Sequence, residues 1–63
     1  MPHKIYFDFG QDACWIKCKK YNHEENNLKI LKEDFLGSPI GFFNEAKVIR
    51  IPLFRVLAEV EEK

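Results

Sequence analysis

No charge of one sign dominates this chain: ten Lys and Arg stand against ten Asp and Glu in 63 residues. That balance excludes a purely electrostatic grip on nucleic acid or on an anionic membrane, since both need a surplus of cations. Glycine is scarce, with three scattered residues, so there is no Gly-rich loop to cradle phosphates. Cysteine is limited to Cys14 and Cys18, too few to staple a small secreted scaffold. Reduced thiols in a cytosol are the expectation. Long apolar runs are missing as well. Asp8 and Asp12 break the N-terminal stretch before it reaches the apolar length of a secretory signal. The stretch 36–44 carries Gly37, Pro39 and Gly41 and falls far short of the roughly 20 residues that span a bilayer. A soluble, cytoplasmic protein with no membrane partner is expected.

Length sets a further bound. One domain over residues 1–63 is the expected organisation. A chain this short buries only about 60% of the surface its unfolded form exposes. Little material remains to enclose a deep catalytic pocket. What is present in quantity is apolar and aromatic. Six Phe, two Tyr and one Trp, within a hydrophobic share of 46%, argue against disorder, which needs low hydrophobicity and high net charge.

Period-2 alternation organises the first third. Ile5, Phe7 and Phe9 share one side of an extended segment; Lys4, Tyr6 and Asp8 share the other. Gly10-Gln11-Asp12 supplies turn chemistry. Residues 13–21 then alternate again, with Cys14, Ile16 and Cys18 on one side and Ala13, Trp15, Lys17 and Lys19 on the other. Two such runs around a short Gly-containing connection predict an antiparallel hairpin. Residues 23–36 fit two patterns. Asn22 with Glu25 resembles a capping box before a helix that Gly37 would stop. The strand reading, a polar loop followed by Leu28-Lys29-Ile30-Leu31-Lys32, is preferred. Gly37-Ser38-Pro39-Ile40-Gly41 is a turn. Val48-Ile49-Arg50-Ile51 is strand-like, and Pro52 belongs at an edge or a bulge. Residues 53–62 again fit either period. Glu59, Glu61 and Glu62 would sit at the negative end of a helix dipole, which favours the strand.

The predicted fold class is therefore all-β. It is a small antiparallel meander or half-barrel of four to five strands, of SH3-like size. The alternative is α+β with one short helix at residues 23–36 or 53–62. The expected interior holds Phe7, Ile16, Ile49, Phe54 and Val56.

Candidate chemistry is sparse. Cys14 and Cys18 with His3 and His23 form the one metal-like group. Four residues along a strand span about 13 Å, too far for two ligands of one zinc ion or for a disulfide, whose Cα atoms lie within about 7 Å. Two core-facing thiols are expected, with no metal and no cofactor. A Cys–His nucleophile would need a partner to form the thiolate, and His23 sits in a polar, solvated segment. The expectation is that the protein is not an enzyme, and no small-molecule substrate is inferred.

Two surfaces stand out. Lys17, Lys19, Lys20, Lys29 and Lys32 concentrate cations near Trp15 and Tyr21. On a strand Trp15, Lys17, Lys19 and Tyr21 would share one face. Rings under bases and cations on phosphates is how small barrels hold single-stranded nucleic acid. The bland reading of that face is an ordinary solvated one. The other surface centres on Phe42-Phe43 after a Gly-rich turn. In a strand these rings point to opposite sides, so one lies outside unless covered. Exposed apolar patches mark interfaces, and Trp, Tyr and Arg commonly anchor them. Trp15, Tyr21, Phe42, Phe43, Arg50 and Arg55 are the candidates for binding a protein partner.

Residues 49–60, Ile49-Arg50-Ile51-Pro52-Leu53-Phe54-Arg55-Val56-Leu57-Ala58-Glu59-Val60, resemble the closing strands of the RelE/ParE-type toxins. There an Arg-rich strand leads through a Gly turn into an aromatic-Arg-Val strand, and Arg50 and Arg55 match its arginines. The resemblance covers about a fifth of the chain. It departs from the family at Pro52-Leu53, where the glycine turn is expected. It departs also in the missing helical half, in the absent C-terminal Tyr or His, and in its neutral charge.

The leading expectation is a non-enzymatic protein-interaction module. It would act as an inhibitor, assembly or accessory factor, of the kind phage or mobile elements encode, by binding a larger protein or forming a homodimer. A single-stranded nucleic-acid binder is the alternative, and a RelE/ParE-like toxin fragment the remote one. Charge is sorted along the chain: residues 13–32 are Lys-rich, and the last residues are Glu-rich.

Overall fold

The computed structural model describes residues 1–62. Strands take up 56% of them, and no helix reaches seven residues. The chain is all-β, and neither 23–36 nor 53–62 is α-helical. The strands are β1 (His3–Phe9), β2 (Asp12–Cys18), β3 (Asn22–His23), β4 (Asn27–Leu31), β5 (Phe35–Gly37), β6 (Val48–Pro52) and β7 (Val56–Glu61). They form two antiparallel sheets, ordered β5-β2-β1-β7 and β3-β4-β6.

The alternation of residues 3–18 produces the β1–β2 hairpin. Ile5 pairs with Ile16, and Phe7 with Cys14. Asp12 joins the ladder opposite Phe9, which leaves Gly10 and Gln11 as a two-residue turn. Gly10 adopts φ +73° there, a left-handed conformation that glycine reaches without a Cβ penalty.

Four strands each give the interior two residues spaced by two: Ile5 and Phe7, Ile16 and Cys18, Leu28 and Ile30, Ile49 and Ile51. Period 2 turns each of these pairs toward the opposite sheet. Full burial of one such side chain stabilises by roughly 1.5–3 kcal/mol.

The chain crosses between sheets four times. Residues 19–21 carry it from β2 to β3, and residues 38–47 carry it from β5 to β6. The 3-10 turn Lys32–Asp34 carries β4 into β5, and the 3-10 turn Leu53–Arg55 carries β6 into β7. Each of these two 3-10 turns is a kink in one long extended segment. Counted that way, the seven strands are five bent ones, the half-barrel expected from the pattern. Backbone bonds fix the crossings: Lys19 N–H to the Asp34 carbonyl at 2.7 Å, and Leu53 N–H to the Asn26 carbonyl at 2.9 Å.

The kinks also change which residues are inside. Phe54, expected in the core, lies on the Leu53–Arg55 turn and is 81% exposed. A 3-10 turn breaks the period-2 count, so the residue two after a buried Ile no longer points inward. Val56 packs against the core as expected. Phe9, on the inner side by alternation, extends past the covering sheet and is exposed.

Candidate functional site

The segment after β5 builds one wall of a cleft. Ser38 Oγ donates to the Trp15 carbonyl at 2.8 Å and accepts from Ile40 N–H at 3.2 Å. This pins the loop to β2. A 3-10 helix, Gly41–Glu45, follows. Phe42 and Phe43 therefore sit on a tight helical turn and not on a strand. The outcome for their side chains is still a split one: Phe43 packs against the core and Phe42 is 60% exposed.

These rings meet the tip of the hairpin. Phe7 contacts Phe9 and Phe43, Phe9 contacts Phe42, and Phe42 contacts Phe43, with centroids 4.8–6.3 Å apart. Four phenylalanines thus close a ring of mutual contacts, mostly edge-to-face, the arrangement aromatic quadrupoles favour. β6 and the turn after it form the facing wall through Arg50, Pro52 and Arg55. Asp8 and Gly10 complete the rim. The cleft so enclosed measures about 550 Å³, within the size of ordinary ligand sites.

The electrostatics of the cleft are mixed. Arg50 donates from Nε to Glu24 Oε1 at 3.1 Å, so its charge is partly answered. Arg55 lies over the Phe54 ring at 5.3 Å and forms no ion pair among the described residues. Asp8 is likewise without an ion-pair partner among them.

Of the six residues expected to bind a partner, Phe42, Phe43, Arg50 and Arg55 converge on this cleft. Trp15 and Tyr21 lie elsewhere. Phe9 and Asp8 were missed by the sequence reading. The signal for Phe9 was weak: it seemed to continue an alternation that in fact ends in solvent.

The Lys and aromatic face expected along 13–21 does not form as drawn. β2 stops at Cys18, and the bend at Lys19 turns Tyr21 out of that face. Tyr21 instead meets His3 and His23 edge-on, at 5.1 and 5.6 Å. Lys29 lies on the other sheet, and Lys32 on the turn after it. What stands beside Trp15 on the outer face is Tyr6, its direct cross-strand partner, with Lys4 paired to Lys17. The Lys4 ammonium lies 4.5 Å from the Trp15 ring and 5.6 Å from the Tyr6 ring, a cation–π arrangement. Lys17 reaches Glu62 at 3.5 Å.

Both cysteines are free thiols, Cys18 fully buried and Cys14 half-buried. Burial, reinforced by the nearby charge of Asp34, pushes the Cys18 thiol up to about 11. That is the behaviour of an inert core thiol and not of a nucleophile. His23 faces Glu59, with Nε2 3.1 Å from Oε1. Burial and a hydrogen bond to the same Glu59 push Tyr21 up to about 12. Among the described residues no three His, Cys, Asp or Glu side chains converge as metal ligands would. No helix among them is long and apolar enough to cross a membrane.

The toxin resemblance implied that residues 49–60 turn directly from one strand into its neighbour. Here β6 pairs with β4 and β7 pairs with β1, in different sheets. Set against known proteins, the chain finds no match among family models, curated proteins or solved structures.

Proposed function

We propose that this protein is a non-enzymatic interaction module of the cytoplasm that binds a larger protein through the cleft between Phe42 and Arg55. One observation carries the reading. Phe42, Phe43, Arg50 and Arg55, from three successive elements and with the chemistry of partner anchors, line one concavity together with Phe9 from the β1–β2 hairpin, and Phe9 and Phe42 are left exposed. Exposed aromatics cost solvation in a small monomer, and clustering them beside arginines is the composition of interface hot spots. Regulation of the partner, as an inhibitor or accessory factor, is the role such a module serves. A homodimer formed through the same patch would also offset the marginal stability of so short a chain.

Single-stranded nucleic acid on the Trp15 face is the second reading. It is favoured by the Tyr6–Trp15 pair beside the Lys4–Lys17 pair. The carboxylates weigh against it, since Glu62 answers Lys17 while Glu24 answers both Lys29 and Arg50.

The test is panning of a random peptide library against the immobilised protein, followed by rebinding to Phe42→Ala and Arg55→Gln variants. Peptides that lose affinity for both variants are expected. Peptides indifferent to both substitutions bind elsewhere and overturn the assignment of the cleft.

A further inference from the structure

Two strand edges border the cleft, and neither is paired along it. β1 pairs with β7 only as far as Phe7, so Asp8, Phe9 and Gly10 run past the end of that ladder. β6 pairs with β4 on one edge and with no strand on the other. The end of β1 and the β6 residues Arg50, Ile51 and Pro52 line the same cavity.

The registers fix where the backbone groups of these residues point. In an antiparallel ladder, residues bonded to the neighbour alternate with residues whose N–H and C=O face the other way. Glu62 N–H donates to the Pro2 carbonyl. In that register Lys4 and Tyr6 turn their backbone groups toward β7. Asp8 is the next residue of the series, and β7 has no partner for it. Its N–H and C=O therefore open into the cleft, while its carboxylate shares the outer face with Tyr6. On β6, Leu53 N–H donates to the Asn26 carbonyl, and Lys32 N–H to the Lys47 carbonyl. The same register directs the backbone of Ile49 and Ile51 to β4 and that of Arg50 away from it. Pro52 belongs to the outward series too, where its missing N–H costs no ladder bond. Among the described residues the outward groups of Asp8 and Arg50 have no hydrogen-bond partner.

Such an edge presents alternating partial charges, a donor beside an acceptor. The backbone of a DNA strand offers phosphate acceptors and no donor. An extended polypeptide offers both, at the spacing of a ladder. The Phe9 and Phe42 rings beside the edge accept apolar side chains.

Resting on the reading of the cleft as a protein-binding site, we infer that its occupant is an extended segment of a partner protein that enters as an added β-strand. The segment lies along β6 and exchanges ladder bonds with the Arg50 N–H and C=O. Its other edge faces the Asp8 backbone. Alternate side chains point onto the Phe9–Phe42 surface and out to solvent. Recognition is carried by backbone, with a requirement for apolar side chains at every second position.

The experiment uses the isotope-labelled full chain and capped pentapeptides Thr-X-Thr-X-Thr, where X is Phe, Leu or Val. Each has a counterpart N-methylated on alternate amides. Hydrogen exchange is measured at Asp8 and Arg50, with Ile49 and Ile51 as paired controls, and shifts are followed at residues 8–10, 41–45 and 53–56. In the free protein Asp8 and Arg50 are expected to exchange fast and the controls slowly. Saturating peptide is expected to slow Asp8 and Arg50 at least about tenfold. N-methylation is expected to weaken binding by a similar factor, the size of one lost hydrogen bond. Equal shifts from parent and N-methylated peptides, with exchange at Asp8 and Arg50 unchanged, overturn strand addition and leave the cleft a protein site held by side chains. Shifts at these amides from no peptide overturn both readings. Slow exchange of Asp8 and Arg50 in the free monomer overturns the inference, since those groups are then already satisfied. Saturable binding of an oligothymidylate there in place of the peptides assigns the cleft to nucleic acid and overturns it as well. So does concentration-dependent dimerisation that slows both amides without peptide, which assigns the edge to a second copy.

Discussion

Lys29 and Arg50 stand directly opposite each other across the β4–β6 pair, and the carboxylate of Glu24 lies against both, at 3.9 Å and 3.1 Å. Like charges facing across a ladder are destabilising. Glu24, brought back by the short β3–β4 turn, offsets that repulsion and fixes the direction of Arg50 at the border of the cleft.

Glu24→Gln is expected to uncover the repulsion. The three side chains are 29–52% exposed, so the loss stays below about 1 kcal/mol. In a domain of this size that lowers the melting midpoint by a few degrees, roughly 4–8 °C at the upper bound. High salt should restore it by screening. Thermal melts at low and high salt check this. A midpoint equal to wild type at low salt would show that the bridge contributes nothing. The freed Arg50 should at the same time strengthen binding of acidic peptides in the cleft.

Ile30 and Phe54 make a matched pair of substitutions. Ile30 is fully buried between the sheets, whereas Phe54 is 81% exposed. Ile30→Ala should cost about 2–5 kcal/mol through lost burial and a residual cavity, enough to unfold much of so small a domain. Phe54→Ala should change stability by no more than about 0.5 kcal/mol. Urea denaturation followed by Trp15 fluorescence separates them. A large loss from Phe54→Ala would refute the 3-10 turn at residues 53–55.

Alkaline pH should destabilise the fold. Cys18 titrates near 9 when unfolded and is pushed up to about 11 in the native state by burial. Below pH 9 both states hold the proton and stability is unaffected. Between pH 9 and 11 the unfolded state loses it first, so the native state binds more protons and stability falls. The loss from this thiol is on the order of 2–3 kcal/mol by pH 11. Tyr21, pushed up to about 12, adds a loss of the same sign that begins near its ordinary value of 10. Urea midpoints from pH 8 to 11 should decline, and Cys18→Val should flatten the decline between 9 and 10. An unchanged slope in that variant would remove Cys18 as the cause.

Trp15 emission should be insensitive to oligonucleotides. Its ring is covered on one side by the Lys4 ammonium, and Lys17 beside it is paired with Glu62. A fluorescence titration with oligothymidylate at low salt checks this. Salt-sensitive quenching that disappears in Trp15→Phe, read by a labelled oligonucleotide, would restore the nucleic-acid reading.

Most of the fold class was legible from alternation alone. The hairpin of residues 3–18 and the burial of Ile5, Phe7, Ile16 and Cys18 follow from period 2 and one glycine. The strands at 28–31 and 48–51 follow in the same way. Less legible were the places where the chain changes sheets. The 3-10 turns at 32–34 and 53–55 carry no glycine; nothing in composition marks the first, and Pro52 marks the second as an edge or bulge but not as a change of sheet. Each shifts the alternation, which is why Phe54 was assigned inward and lies outward. The candidate site was half legible: Phe42, Phe43, Arg50 and Arg55 could be named for their chemistry, but Phe9 and Asp8 could not.

By itself the sequence determined an all-β chain with two cysteines too far apart along one strand to pair and no surplus charge, because strand periodicity, cysteine spacing and net charge are properties of the chain before it folds. Only the tertiary structure decided which aromatics share a surface. Phe9 and Phe42 are 33 positions apart, and they meet because Ser38 ties the loop after β5 to Trp15 while the hairpin overhangs the second sheet. Contacts of that range depend on where strands cross between sheets, and no local pattern encodes the crossing.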